Sequence, residues 1–99
     1  MELGRVEGAV VATAKVDSLK GRTLLLVNLL GPDVTPTANY LVAVDTVGAG
    51  RGEVVILVRG SSARQTKSLQ SVPTDTSIVG IVDSVELKGD IIYNKAKER

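Results

Sequence analysis

Residues 41–64 read LVAVDTVGAGRGEVVILVRGSSAR, and this stretch decides the architecture. A β-branched run (Val42, Val44, Thr46, Val47) enters a connection with glycine on alternate positions, Gly48, Gly50 and Gly52, and leaves it as Val54-Val55-Ile56-Leu57-Val58. The pattern predicts two strands joined by a glycine-rich connection, with glycine where the backbone needs positive φ or close approach to another chain. Gly60-Ser61-Ser62 ends the second strand, and Ser61 or Ser62 is placed to cap a short helix through Ala63, Arg64 and Gln65. Val54, Ile56 and Val58 point to one face of their strand and Val55 and Leu57 to the other, so this strand needs cover on both sides. The polar residues around it include no strong nucleophile and no base poised near neutral pH, which marks architecture rather than chemistry.

Working outward, Glu2 to Thr13 reads as a first strand that bends or bulges at Gly4 and Gly8. Leu24 to Leu30 is a buried strand cut off by Gly31-Pro32-Asp33, and Gly31 to Asn39, GPDVTPTAN, reads as a surface loop leading into a strand at Tyr40. Beyond a polar segment with Pro73, Ser77 to Val85 is a fifth strand. Lys88-Gly89-Asp90 turns into an added edge strand at Ile91-Ile92-Tyr93, and Asn94 to Arg99 is a charged, frayed tail. Five principal strands, one short helix and no internal repeat predict an all-β fold, a small, partly open barrel of the oligonucleotide-binding type. In such barrels the helix falls between the third and fourth strands, whereas here it follows the fourth. Counting the bent first strand differently would remove that discrepancy, so the barrel is expected and its detailed topology is open.

The 99 residues are expected to form one domain with a single small core. Hydrophobic residues make up 43%, yet Phe and Trp are absent and only Tyr40 and Tyr93 are aromatic, so Val, Leu, Ile and Ala must fill that core. Twelve basic against eleven acidic residues give a net charge of +1, which argues against general affinity for nucleic acid or anionic lipid. With neither cysteine nor histidine, disulfides, thiol chemistry and the usual zinc ligands are excluded. Met1 to Arg5 is unlike a signal peptide and no apolar run approaches the ~20 residues that span a bilayer, so the expectation is a soluble cytoplasmic protein. A barrel this small buries only one face of each strand. The outward Val and Leu residues therefore form an apolar patch for which self-association is the natural cover.

Each functional motif has a plainer structural explanation. Gly48-Ala49-Gly50-Arg51-Gly52 invites a phosphate-loop reading, but it lacks the Lys-Ser/Thr ending and opens no long helix. Gly60 to Arg64 could hold an anion at a helix start, although an ordinary N-cap accounts for the same serines. Asp45, Glu53, Asp83 and Glu86 could supply a carboxylate pair or a hard-metal site, but their spacing matches no metal loop and strand-end carboxylates usually hold turns or ion pairs. Two tyrosines are too few for a base-stacking platform. No cofactor or metal is expected.

The stretch 41–64 resembles the EutN/CcmL family, the vertex proteins of bacterial microcompartments. The resemblance extends to Gly4 through Thr13, Gly21 through Val27 and Ile78 through Asp83, covering most of Glu2 to Val85. Its specific part is Val44-Asp45 with Gly48-Ala49-Gly50, followed by Gly60-Ser61-Ser62-Ala63-Arg64. The resemblance implies a β-barrel subunit that assembles as a cyclic pentamer at the vertices of a polyhedral shell in the cytoplasm. It also implies a structural role without catalysis, with copies of itself and hexameric shell proteins as partners and with neither membrane nor nucleic acid among them. Pore or subunit-interface positions implied in this way are Gly48, Ala49, Gly50, Ser61, Ser62 and Arg64. Two alternatives stand beside it: a nucleic-acid or glycan-binding barrel, and a small enzyme with a carboxylate site.

Overall fold

A computed structural model of the protein describes residues 1–13, 15–60 and 75–98. These form β1 (Glu2–Val10), β2 (Thr23–Leu30), β3 (Pro36–Asp45), β4 (Val54–Arg59), β5 (Thr76–Ile81), β6 (Ser84–Leu87) and β7 (Asp90–Asn94). The first five close a barrel in the order β1-β2-β3-β5-β4, and β6 and β7 make a separate two-stranded sheet. All barrel pairings are antiparallel except β3 with β5, where Val44 lies opposite Ser77 and Asp45 opposite Ile78. The short helix expected from Ala63 lies outside the described residues.

The core follows from strand alternation. Leu25, Val27 and Leu29 of β2 meet Leu41 and Ala43 of β3, Val55 and Leu57 of β4, Ile78 and Ile81 of β5, and Val6 of β1. Gly4 lies on the same side of β1 as Val6 and is buried. A β-carbon built there would collide with Val27 Cγ1 and approach Leu57 Cδ1 to 2.9 Å. A side chain is missing where the narrow barrel has no room for one. The bend expected in β1 is a bulge, since Val6 faces Val27 and Gly8 faces Leu26, leaving Glu7 as the extra residue.

Three boundaries differ from the sequence expectation, each for a local reason. β3 starts at Pro36 rather than Tyr40 because proline is tolerated as a first strand residue. The polar, solvent-facing TAN that follows is held in the sheet by Asn28. This buried side chain donates from Nδ2 to the carbonyls of Thr37 (2.9 Å) and Asn39 (3.1 Å), where the β2–β3 register shifts. The strand predicted over Ser77–Val85 breaks after Ile81. The Val82 amide still donates to Val54 O at 2.8 Å, and the chain then leaves the barrel to form the β6–β7 hairpin. Both loop residues of that hairpin, Lys88 (φ 54°) and Gly89 (φ 88°), are left-handed, as a two-residue type I′ connection requires.

The tail is less frayed than its composition suggests. Asn94 closes β7 and its side chain accepts from the Ala96 amide, capping a 3₁₀ turn over Lys95–Lys97. The apolar surplus is also redistributed. Val54 is as fully buried as Val55 and Leu57, so β4 is largely covered within one subunit. Large apolar side chains are left in solvent instead on β3 (Tyr40, Val42) and β7 (Ile91, Ile92).

Candidate functional site

The connection between β3 and β4 is built by two carboxylates. Asp45, the last residue of β3, accepts from the amides of Val47 (3.0 Å) and Ala49 (2.9 Å). Glu53 closes the other end, with Oε1 accepting from the Gly50 amide at 2.6 Å and Oε2 meeting Lys95 Nζ at 2.6 Å. The Gly52 amide donates to Val6 O, and Arg5 donates from a guanidinium nitrogen to Gly52 O at 2.8 Å. Thr46 pins the start of the loop to the Ile78 carbonyl, and Ala49 packs against the core.

This geometry disposes of the phosphate-loop reading. The amides of Val47, Ala49, Gly50 and Gly52 already have protein acceptors, and the two carboxylates that take most of them would repel an anion. It also shows why the glycines are not equivalent. Gly48 (φ 77°) and Gly52 (φ 89°) are left-handed, whereas Gly50 is not, and a β-carbon on Gly50 would meet only Glu53 Oε1 at 3.4 Å. Gly48→Val is therefore expected to lower stability by about 1–2 kcal/mol and Gly50→Val by well under that, measured by urea denaturation of the two variants side by side.

Glu53 also couples the loop to the C-terminal segment through Lys95, and Arg5 adds a second link. Arg5 reaches Glu98 at 3.4 Å and lies 5.7 Å from the centre of the buried Tyr93 ring, while the Lys95 amide donates to Asp83 O. Sequence reasoning treated Asp45 and Glu53 as turn-holding carboxylates, and both hold the turn. It missed Arg5, Lys95 and Glu98, whose partners lie 42 to 93 positions away and leave no local signal. Among the described residues no three acidic side chains gather as a metal site, and Asp83 and Glu86 are exposed. Tyr40 and Tyr93 sit apart, one on the outer face of β3 and the other beneath Arg5. Of the positions singled out for pore or interface, Gly48, Ala49 and Gly50 share this loop, and Ser61, Ser62 and Arg64 lie outside the described residues.

The hydrogen bond from Lys95 and that from the Gly50 amide hold the Glu53 carboxyl below its ordinary value of 4.5, and Arg59 does the same for Glu2 through a bidentate pair at 2.6 and 2.9 Å. Lowered folded values mean that both contributions are complete above the unfolded value and are lost as pH falls through the folded one. The melting temperature should thus fall on acidification below about pH 4.5, and Glu53→Gln should flatten that slope in calorimetry across the acid range.

With the geometry established, comparison places the chain among known proteins. Residues 1–83 match the family model described as ethanolamine utilisation protein EutN/carboxysome. The bacterial microcompartment shell vertex protein EutN of Escherichia coli K12 is 41% identical over 95 residues, 96% of this chain and all of that protein. The structure of Gloeobacter violaceus CcmL superposes with a TM-score of 0.94 at 39% identity, covering 98% of this chain and 100% of that one. GrpN, a pentameric microcompartment shell protein from Rhodospirillum rubrum, superposes with a TM-score of 0.79 at 50% identity, over 88% of this chain and 98% of its own. A family model that spans most of the sequence and full-length relatives at 41% and 39% identity agree, and the chain belongs to the EutN/CcmL family.

Proposed function

We propose that this protein is a structural subunit that forms pentamers and caps the vertices of a bacterial microcompartment shell in the cytoplasm. The observation that carries this reading is the near full-length likeness to a shell vertex protein in sequence and to a pentameric shell protein in structure. The described residues suit the role: Asp45 and Glu53 are occupied in holding the loop and an ion pair to Lys95, and large apolar side chains of β3 and β7 stand in solvent where a partner can cover them. The role requires no catalysis and no cofactor.

Flat sheets of six-fold tiles close into a polyhedron only where five-fold units let the sheet curve in two directions. The partners are therefore hexameric shell proteins, met along five equivalent edges. Each contact can be weak, because five of them act together through effective concentration. Gly48, Ala49, Gly50 and Arg64 are proposed as pore or subunit-interface positions, and Ser61 and Ser62, by position in the family pattern, as lining of the central opening. Co-expression with cognate hexameric shell proteins tests the reading. Electron microscopy should show closed particles that protect their cargo from protease, and tubes, sheets or particles with open corners when this chain is left out. Equally closed, protective particles without it would overturn the vertex role, and salt-sensitive binding of oligonucleotides by a monomer would favour a binding barrel instead.

A further inference from the structure

A closed ring of identical subunits is held by head-to-tail contacts, so each subunit presents two different surfaces on opposite sides. A contact of ordinary size takes about 800 Å² from each partner, so two of them would take about a quarter of the 6183 Å² this subunit exposes. The fully buried centres of such surfaces are more apolar than the rest of a protein's exterior, which directs attention to the exposed apolar patches. Among the described residues there are two that pair neighbouring side chains. One is Tyr40 and Val42, 57% and 45% exposed, facing outward because Leu41 and Ala43 between and beside them face the core. The other is Ile91 and Ile92, 65% and 39% exposed, on the hairpin.

The strand order sets these patches apart. The hairpin is tied to β1 by Arg5 lying against the Tyr93 ring, and the turn that follows it is tied to Arg5 through Glu98 and to Glu53, just before β4, through Lys95. In the cycle β1-β2-β3-β5-β4, β3 is two strands removed from both and so lies across the barrel from that seam. The hairpin also offers a receptacle. A depression of about 330 Å³ is lined by Ile91, Ile92, Tyr93, Asn94, Lys97 and Glu98, so that isoleucine side chains share it with amide, ammonium and carboxylate groups. An amphipathic aromatic side chain suits so mixed a lining, its ring packing on isoleucine and its hydroxyl finding a polar partner.

We infer that the β6–β7 hairpin is the docking arm of the ring, and that its Ile91–Ile92 depression receives Tyr40, with Val42 beside it, from the outer face of β3 in a second copy of this chain. The ion pairs Lys95–Glu53 and Arg5–Glu98 then act as positioning contacts that set the arm's angle on its own barrel. This inference rests on the pentameric reading above and adds which surfaces meet.

Because the chain contains no cysteine, the variant Y40C/I91C reports the contact directly. On mild oxidation it should give a covalent ladder reaching five subunits on a non-reducing gel, whereas Y40C alone and I91C alone should give none. Tyr40→Asp and Ile91→Asp should each raise the concentration at which rings half-dissociate at least about tenfold, with the β-sheet circular dichroism of the subunit unchanged. A wild-type protein that is pentameric by native mass, with no ladder from Y40C/I91C and undiminished rings from both aspartate variants, overturns the inference and leaves the pentamer standing. A monomeric wild type overturns both.

Discussion

Gly4→Val is expected to destabilise the barrel by about 3 kcal/mol or more, a large part of the roughly 5–15 kcal/mol that holds a domain of this size. The position is on the inner side of β1, and the first atom of any side chain there collides with Val27 and crowds Leu57. Neither neighbour can swing into solvent, since both are completely buried. Backbone conformation is not the cause, because Gly4 lies in regular strand and is not among the glycines with positive φ. The steric origin makes a sharper claim possible. Gly4→Ala and Val27→Ala should each destabilise, one by excess volume and the other by a cavity, but together they should cost less than their sum by about 0.5–3 kcal/mol. Chemical denaturation of the four proteins of that cycle is the measurement, and strict additivity would show that the crowding is not what Gly4 relieves.

The second large effect separates the two faces of β4. Leu57→Ala should cost about 2–5 kcal/mol, since the side chain is fully buried against the inner faces of β1, β2 and β5. Ile56→Ala, one residue away on the outer face and only half-buried, should cost the isolated subunit about 1 kcal/mol or less. Thermal melts of both variants at a concentration where the protein is monomeric provide the comparison. Equal losses would mean that the outer face of β4 is packed within the subunit as tightly as the inner one.

How far the sequence can be read depends on whether the cause is local. The strand at Val54–Val58 is legible because a continuous run of β-branched and aliphatic residues bounded by glycine admits little else, and the Lys88-Gly89 turn is legible because its glycine sits where a tight connection needs positive φ. The start of β3 is not. Its residues Thr37, Ala38 and Asn39 are polar or small and bracketed by turn chemistry, and they belong to the sheet because Asn28, nine residues earlier, captures the carbonyl of Thr37. The break after Ile81 is hidden likewise, since nothing in SIVGIVDSVEL records that Val82 bonds to Val54 and that Lys95 will bond to Asp83. The two-faced strands implied an outward apolar patch, and the described residues carry it on β3 and β7 more than on β4. Val54 finds cover inside the subunit, whereas Tyr40 and Val42, read as the entry to a strand, keep their solvent exposure.

The glycine loop teaches a related lesson. Three alternate glycines look equivalent in sequence, yet Gly48 and Gly52 are required by their dihedral angles and Gly50 is not. The family likeness identified the loop, and only the hydrogen bonds from Asp45 and Glu53 show that its amides are consumed in building it.

The central claim is a closed five-subunit ring, and native mass spectrometry at low micromolar concentration tests it most directly. The account predicts a dominant species of about 52 kDa, five copies of a 10.4 kDa chain, which persists on moderate dilution. Monomers or dimers alone at that concentration would contradict it.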